Sequence, residues 1–249
     1  MEKTYLSVVI PCFNEERNIR LGALEKVAHF LEKKNYIWEV LIVDDGSRDE
    51  SKKLIKECLR ENPRFLLIEN NHQGKAATLI SGMKQAHGDF ILFTDLDQAT
   101  PISEVDNLLP WMDKGYDIVI GSRNSKRRGA PIFRLAMARG FMMLRNIILN
   151  LGIKDTQCGF KLFKRSIVKT IFGKLKLYSL PKSVVGSTVT AGFDVEILFI
   201  AKRMGFRIKE VPVEWHYQET RHVNFTKDSI EGLKDLITIR VNSLKGIYG

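Results

Sequence analysis

Cysteine is scarce in the sequence, and its few copies are poorly placed for a framework. Cys12, Cys58 and Cys158 are odd in number and far apart along the chain. This spacing argues against a disulfide-stabilised scaffold and against the paired cysteines of a structural zinc site. We therefore expect stability to come from an ordinary hydrophobic core, in a reducing, cytoplasmic environment.

Long apolar runs are also lacking. No window reaches the ~18 uninterrupted apolar residues of a membrane-spanning helix. The first apolar run ends in a polar loop by Asn14, which is too short and wrongly flanked for a signal peptide. With 44% hydrophobic residues, 7 prolines and 18 glycines in 249 positions, the composition is globular. We expect neither a transmembrane segment nor a signal peptide, so that any membrane contact would be peripheral.

Acidic residues are missing between Asp117 and Asp155, although the chain as a whole has a formal net charge of +10. Such an excess favours an acidic partner, which could be nucleic acid, an anionic lipid surface or a phosphorylated substrate. A basic run can equally be a solvated face, so the charge alone does not choose among these. The basic residues of the stretch are Arg123, Lys126, Arg127, Arg128, Arg134, Arg139, Arg145 and Lys154.

Several common site motifs are absent as well. No Gly-x-Gly-x-x-Gly follows the first apolar run, which argues against a dinucleotide-binding enzyme. Gly74-Lys75 is flanked by Glu69 and Ala76 where a phosphate-binding P-loop needs glycine and a hydroxyl residue. The five histidines are scattered and support no Ser-His-Asp or Cys-His arrangement. The acidic residues are therefore the best remaining candidates for chemistry.

Short β-branched runs alternate with helical patterns through the first half of the chain. Strands joined by helical crossovers run parallel, and the near-continuous apolar character of these runs predicts a sheet covered on both faces. The fold class is therefore α/β, a Rossmann-like, mostly parallel sheet flanked by helices, with ligands beyond the carboxyl ends of the strands. The predicted strands are 6–11, 40–43, 65–69, 90–94 and 118–120, and the predicted helices are 15–33, 49–61, 75–86 and 102–114.

After Gly121 the regular alternation stops. A basic loop leads into a helical stretch at 132–151 and a cysteine-containing turn. Helices at 193–204 and 228–244 enclose a proline-bearing strand at 207–215. We expect residues 123–249 to form a second lobe, fused to residues 1–122 without a flexible linker.

Two acidic pairs follow predicted strands. Asp44 and Asp45 end the second strand, and Asp95 and Asp97 end the fourth. An Asp-Gly step alone is more often a turn than a ligand site. Carboxylates at one sheet edge repel each other unless a cation or ligand donors compensate, so the cluster favours a metal or polyol site. In an extended Asp-X-Asp, both acids point the same way, so Asp95 and Asp97 are expected to face one ion.

Four segments, in order, resemble the signature of inverting family 2 glycosyltransferases with the GT-A fold. They are SVVIPCFNEE at 7–16, VDDGS at 43–47, TDLD at 94–97 and GSR at 121–123. The second half adds DTQCGFKLF at 155–163, GFDVE at 192–196 and VPVEW at 211–215. These are similar to dolichyl-phosphate β-glucosyltransferases and related polyprenyl-phosphate glycosyltransferases. The resemblance covers nearly the whole chain, and its most specific part is TQCGFK.

The resemblance implies an enzyme that moves a hexose, glucose from UDP-glucose, to a polyprenyl or dolichyl phosphate with the help of Mg²⁺ or Mn²⁺. Residues 1–122 would bind the nucleotide sugar, and residues 123–249 would form the acceptor-binding, membrane-facing half of one continuous domain. Asp95 and Asp97 would bind the metal, and the catalytic residues would be Asp97, Asp194 and Arg123. Donor contacts would come from Pro11, Phe13, Asn14, Glu15, Asp44, Asp45 and Asp95, and acceptor or phosphate contacts from Arg127, Arg134, Lys161, Arg221 and His222.

Two positions depart from the resemblance. Some relatives place a third metal ligand, Gln, two residues after the second metal aspartate, where this chain has Ala99 beside Gln98. Arg221 and His222 stand about where relatives carry Ser-Lys. We therefore expect fewer protein ligands to the ion and a different diphosphate clamp.

The residues leave the acceptor open. A phosphate, with a second pKa of about 6, is largely ionised at neutral pH and needs little base catalysis, so that Asp194 would position groups. For a sugar hydroxyl, Asp194 would be the general base. A soluble or polymeric sugar acceptor and a non-catalytic nucleotide-sugar sensor stay as alternatives. A nucleic-acid partner is not expected, because no recognised motif or aromatic-interleaved basic surface is present.

An amphipathic stripe in the acid-free segment predicts contact with an anionic membrane surface. Its members recur at spacings of three and four, as on one face of a helix that lies in the headgroup region. The competing interpretation is that the stripe packs against the sheet. The stripe consists of Met137, Phe141, Leu144, Ile148 and Leu151, flanked by Arg134, Arg139 and Arg145.

Overall fold

The computed structural model describes residues 3–123, 132–178, 191–216 and 225–248, with side chains from Gly140 in the sixth helix, Gly192 in the eighth and Ile230 in the ninth. The strands are β1 (Leu6–Cys12), β2 (Trp38–Asp44), β3 (Phe65–Glu69), β4 (Phe90–Thr94), β5 (Ile118–Arg123), β6 (Phe160–Lys164) and β7 (Ile208–Val213). The helices are α1 (Glu16–Arg20), α2 (Ala23–Leu31), α3 (Ser51–Glu61), α4 (Lys75–Gln85), α5 (Val105–Asp113), α6 (Ile132–Leu149), α7 (Arg165–Gly173), α8 (Ala191–Arg203) and α9 (Phe225–Leu244).

One sheet runs through the described residues, in the order β3-β2-β1-β4-β6-β5-β7. The five predicted strands of the first half are confirmed, and their crossovers make β1, β2, β3 and β4 parallel. The exception is β6, which lies antiparallel between β4 and β5. Both β6 and α7 were missed at the sequence level. Residues on both sides of position 122 contribute strands to this one sheet.

Two predicted helices differ from the structure. The helix expected at 15–33 is divided into α1 and α2 at Gly22, whose φ of +78° is a left-handed conformation that an α-helix cannot continue through. The helix expected at 102–114 begins as a short 3-10 turn at Ile102–Glu104 and becomes α5 only from Val105. The remaining helices of the first half lie within two residues of their predicted starts.

Apolar side chains fill both faces of the sheet, as the continuous apolar runs predicted. One core cluster lies between the sheet and α4, α7, α8 and α9, and the other between the sheet and α2, α3 and α5. The three cysteines are buried free thiols, so the expectation of no disulfide is confirmed. Among the described residues, none of the helices combines the length and apolarity needed to cross a bilayer.

The amphipathic stripe of α6 does not face outward as expected. Phe141 and Ile148 pack against the core, and Leu151 is 3% exposed. Arg145, expected to flank a membrane surface, is 2% exposed, and its guanidinium donates to Thr156 Oγ1 at 2.6 Å and to the Ile153 carbonyl. Burial of Arg145 is tolerated because these acceptors replace water. The described part of the stripe is thus the inner face of the helix.

Candidate functional site

An open cleft lies where β1, β2 and β4 end at the same rim of the sheet. Parallel strands place their following loops together there, which is the usual position of a ligand site in an α/β fold. Five residues singled out from the sequence line the cleft, namely Pro11, Phe13, Glu15, Asp45 and Asp95. The structure adds His72, Gly74 and Lys75 from the loop between β3 and α4.

Asp45 organises that added loop. Its carboxylate accepts hydrogen bonds from the backbone amides of Gln73 and Gly74, each at 2.9 Å. The Nδ1 atom of His72 lies 2.8 Å from the same carboxylate. The imidazole of His72 stacks on the ring of Phe13, with centroids 4.0 Å apart and planes 9° from parallel. A carboxylate, an imidazole and an aromatic ring are thereby held side by side at one end of the cleft.

Asp44 shapes the cleft from behind rather than lining it. Its side chain is fully buried and accepts from the amides of Gly46 at 3.1 Å and Ser47 at 3.2 Å. Ser47 Oγ in turn accepts from the amide of Asn14 at 2.9 Å, and the Asn14 side chain accepts from the amide of Arg48 at 2.8 Å. Asn14 and Asp44 thus brace the loops after β1 and β2, and direct contact with a donor remains a prediction for both.

The second acidic pair lies in a turn and not in an extended strand, so the reason given for their common orientation was wrong. β4 ends at Thr94, and Gln98, with a φ of +50°, donates its amide to the carbonyl of Asp95 at 3.3 Å. Both aspartates are nevertheless half-buried beside a buried Leu96. Asp97 accepts from the amide of Ala99 at 3.0 Å.

Asp95 is enclosed by two residues that sequence reasoning did not select. Lys75, at the first position of α4, makes an ion pair with the Asp95 carboxylate. On the other side, a Cβ atom on Gly159 would overlap that carboxylate. Glycine is therefore required just before β6 if Asp95 is to keep this position. A lysine following Gly74 was visible in the sequence, but only the fold shows that it meets Asp95.

Gln98 has its own structural task. Its side-chain oxygen accepts from the amide of Ile102 at 3.1 Å, and its side-chain nitrogen donates to the carbonyl of Asp95 at 2.9 Å. The residue that stands beside the missing third metal ligand therefore caps the following 3-10 turn.

Arg123, at the end of β5, is held by Asp155. Two nitrogens of the guanidinium reach the two carboxylate oxygens, each at 2.7 Å, and the Arg123 amide donates to the same carboxylate at 3.0 Å. Burial alone would lower the pKa of Arg123, but the hydrogen bonds and charge of Asp155 raise it above its ordinary value. The guanidinium is thus a fixed positive charge. Its expected reach to a phosphate remains a prediction.

Lys161 and Asp194 form a second ion pair, with Nζ and Oδ1 2.7 Å apart. Lys161 was expected to contact the acceptor phosphate, and the structure corrects this, because its side chain has no exposed surface. It points inward, donates to the carbonyl of Cys158 and lies 4.8 Å from the centre of the Phe93 ring. Asp194 keeps 18% of its side chain exposed. The lysine therefore supports the carboxylate, and the carboxylate is the accessible group.

Four of the predicted acceptor residues cannot be placed. Arg127, Arg221 and His222 lie outside the described residues, and of Arg134 only the helical backbone is described. The described part of the rim ends at His216, whose amide donates to the carbonyl of Ala99 at 2.8 Å. The chain beyond β7 is thereby joined to the turn that carries Asp97.

Comparison with known proteins agrees with this arrangement. The family model of glycosyl transferase family 2 matches residues 7–172. The dolichyl-phosphate beta-glucosyltransferase of Saccharomyces cerevisiae is 34% identical, over 99% of this chain and 77% of the relative.

Two solved structures share the fold. Mannosyl-3-phosphoglycerate synthase from Rubrobacter xylanophilus matches with a TM-score of 0.68 at 16% identity, covering 98% of this chain and 76% of that one. Glucosyl-3-phosphoglycerate synthase from Mycobacterium tuberculosis, solved with Mn²⁺, UDP and glucosyl-3-phosphoglycerate, matches with a TM-score of 0.63 at 16% identity. That match covers 95% of this chain and 80% of the synthase. The fold is the GT-A fold.

Proposed function

The chain belongs to glycosyl transferase family 2, and from this premise we propose that it transfers glucose, or a similar hexose, from its UDP derivative to a polyprenyl or dolichyl phosphate. The observation that carries the proposal is the grouping of Asp45, Asp95 and Lys75 in one cleft at the strand ends. The yeast relative, a dolichyl-phosphate beta-glucosyltransferase, supports the choice of sugar and acceptor. The acceptor phosphate oxygen would form the new bond to the anomeric carbon as the bond to the diphosphate breaks.

The end of the cleft at β1 and β2 suits the nucleoside of the donor. Phe13 and His72 offer ring faces, and Asp45 offers a carboxylate held by the His72 loop. Flat aromatic surfaces and a few fixed polar groups are the usual means by which proteins orient a nucleobase. These groups would hold the donor equally well before and during reaction, so their task is binding and not acceleration.

A divalent cation fits the donor set at the end of β4. Asp95 and Asp97 supply hard carboxylate oxygens, which suit Mg²⁺ or Mn²⁺. No group of three or more His, Cys, Asp or Glu side chains in the described parts of the chain is arranged to hold a metal. A pair of carboxylates is sufficient where substrate phosphates and water complete the shell. When bound, such an ion stabilises negative charge on a leaving diphosphate.

Charged side chains on the other side of the rim suit the acceptor. Asp194, supported by Lys161, is the exposed carboxylate, and Arg123 is a fixed positive charge within electrostatic range of it. A phosphate acceptor is largely ionised at neutral pH and needs little help to lose a proton. Asp194 would then orient the sugar or acceptor, with Arg123 supplying positive charge towards phosphate.

The decisive experiment is a transfer assay with UDP-glucose and three acceptors, a polyprenyl phosphate, 3-phosphoglycerate and a free sugar, each with and without EDTA. We expect glucosyl-lipid only with the polyprenyl phosphate, and loss of product in EDTA. Preferred transfer to 3-phosphoglycerate or a free sugar would redirect the proposal to a soluble acceptor. Donor binding without transfer or hydrolysis would identify a nucleotide-sugar sensor instead.

A further inference from the structure

The outer apolar face of α9 is the largest feature that the donor and acceptor sites leave unexplained. We use this name for Ile230, Leu233, Ile237, Val241 and Leu244, whose spacings of three and four place them along one side of the helix. Their exposed fractions are 57%, 37%, 51%, 39% and 73%. The opposite side, with Leu236 at 1% and Ile239 at 0%, already packs in the core. Core packing therefore does not account for the apolar residues that face outward.

Helix α6 extends this exposed surface. α6 and α9 pack against each other, and a Cβ atom on Gly232 would lie 3.1 Å from the Phe141 ring. On its own outward side α6 exposes Met143 at 67%, Leu144 at 38% and Ile147 at 69%. Scattered exposed apolar residues are ordinary, but a contiguous group of this size marks a surface that meets a partner.

Positive charge borders the outer apolar face. Lys234, Arg240 and Lys245 are exposed on α9 beside the apolar residues. Of the described α9 acids, Asp235 is half-buried and accepts from the Tyr178 hydroxyl at 2.7 Å. Glu231 follows Ile230 by one residue and is rotated from it by about 100° around the axis. An apolar stripe with basic borders fits the interface of an anionic bilayer, where apolar groups enter the headgroup region and cations meet phosphates.

We propose that the outer apolar face of α9, together with Met143, Leu144 and Ile147 of α6, docks the enzyme on an anionic lipid bilayer. A second copy of the chain is a poorer occupant, because two chains of formal charge +10 would face each other through basic borders. The choice of lipid over another protein rests on the proposed function, in which the acceptor is itself a membrane lipid.

Docking through α9 would serve the acceptor site directly. The inner side of the same helix meets the start of α8, because Asp235 lies where a Cβ atom on Gly192 would be. Gly192 precedes Asp194 by two residues. The face that would meet lipid and the carboxylate that would meet the acceptor are thus on adjoining helices.

The test is cosedimentation with vesicles of phosphatidylcholine alone and of phosphatidylcholine with phosphatidylglycerol, at low and high salt. We expect the wild-type protein to bind only the anionic vesicles and to be released by salt. Ile237→Glu should lower vesicle affinity at least about tenfold, and Lys234→Glu about fivefold. The matched control is Leu21→Glu, because Leu21 is 62% exposed between α1 and α2 and should bind like wild type.

Three outcomes would overturn the inference. Wild-type protein that stays in solution with anionic vesicles, equal binding by Ile237→Glu, or a wild-type dimer that Ile237→Glu converts to monomer would each do so. Activity of Ile237→Glu on a short, water-soluble polyprenyl phosphate separates the two proposals. If that activity is intact while vesicle binding is lost, docking is supported independently of catalysis. If the wild type binds vesicles but glucosylates no polyprenyl phosphate, docking stands and the proposed function fails.

Discussion

Lys161 Nζ lies 2.7 Å from Asp194 Oδ1, although the two residues belong to different elements, β6 and α8, and the lysine has no exposed surface. A buried lysine is tolerated only when a partner compensates for its lost hydration. The pair therefore fixes the position of Asp194 at the rim. It also connects the stability of the fold to the carboxylate expected to meet the acceptor.

Replacing Asp194 with Asn should lower kcat at least about a hundredfold, since a carboxylate placed at the reacting groups is lost. UDP binding should not change, because Asp194 does not line the donor cleft. Steady-state kinetics and titration calorimetry with UDP measure the two effects. Glu214→Gln is the control, at a largely exposed carboxylate beyond β7. Wild-type kcat in Asp194→Asn would remove this residue from the reaction.

Replacing Lys161 with Met should cost about 3 kcal/mol of the free energy of unfolding, because it breaks a largely buried ion pair. The double variant Lys161→Met with Asp194→Asn should be less destabilised than the two single changes added together. Urea unfolding of the four proteins gives the coupling energy. Strict additivity would mean that the pair does not couple the two helices and strands energetically.

Replacing Gly159 with Ala should reduce turnover at least about tenfold without removing any polar group, because the new methyl group displaces the Asp95 carboxylate. The fold should survive, since a side-chain end and not backbone must move. Kinetics at several Mn²⁺ concentrations should show a raised metal requirement. The matched control is Gly173→Ala, where nothing lies near the added carbon. Equal effects of the two changes would contradict a role for the position of Asp95.

These residues show where sequence reasoning reached and where it stopped. Asp45 and Asp95 could be found because each follows a strand with a clear apolar pattern. Lys161 was assigned to the acceptor because a lysine in a loop-like motif is normally exposed. Its burial depends on β6 lying between β4 and β5, which is a non-local pairing with no signal in the segment itself. The same pairing explains why the closeness of Gly159 to Asp95 was not foreseen.

Replacing Asp45 with Ala should weaken UDP binding roughly tenfold while changing kcat little. Two amides and an imidazole lose their common acceptor, so the loop that carries His72 and Lys75 is no longer fixed. Such a loss affects ground and transition states alike. Titration calorimetry measures it, and Asp44→Ala should behave similarly through its own loop. Unchanged UDP affinity in both variants would place the nucleoside elsewhere.

Glu196 should make the fold less stable as pH rises. Burial raises the pKa of this carboxyl in the folded protein, and hydrogen bonds from the Lys176 and Leu177 amides offset that only in part. Because the folded pKa exceeds the ordinary value of 4.5, its contribution is complete below that pH. The contribution is lost as pH rises through the folded value, by about 1.4 kcal/mol for each pKa unit between the two states.

Urea unfolding of the wild type and of Glu196→Gln from pH 4 to pH 8 measures this, with the pH range itself chosen to span roughly the ordinary and raised pKa. The stability of the wild type relative to the variant should fall steadily across the range. A constant difference would show that Glu196 has the same pKa in both states.

Helix α6 illustrates a different limit. Its pattern predicted a helix correctly, but two opposite sides of it are apolar, and sequence periodicity alone does not say which side meets the core. Arg145 was placed outside because arginine is seldom buried, whereas carbonyls at Ile153 and Lys154 accept its protons. Only the packing of α6 against α9 decides between the two sides.

The reversed direction of β6 has a consequence for how such enzymes can diverge. β5 ends and β6 begins at the same rim, so the chain leaves the donor cleft after Arg123 and returns to it at Gly159. Both ends of the excursion are fastened, one by Arg123 to Asp155 and the other by the packing of Gly159 on Asp95. What lies between can be lengthened, shortened or exchanged without changing the order of the strands. Acceptor preference is thereby heritable as a separate cassette, inserted into a catalyst whose donor preference stays constant.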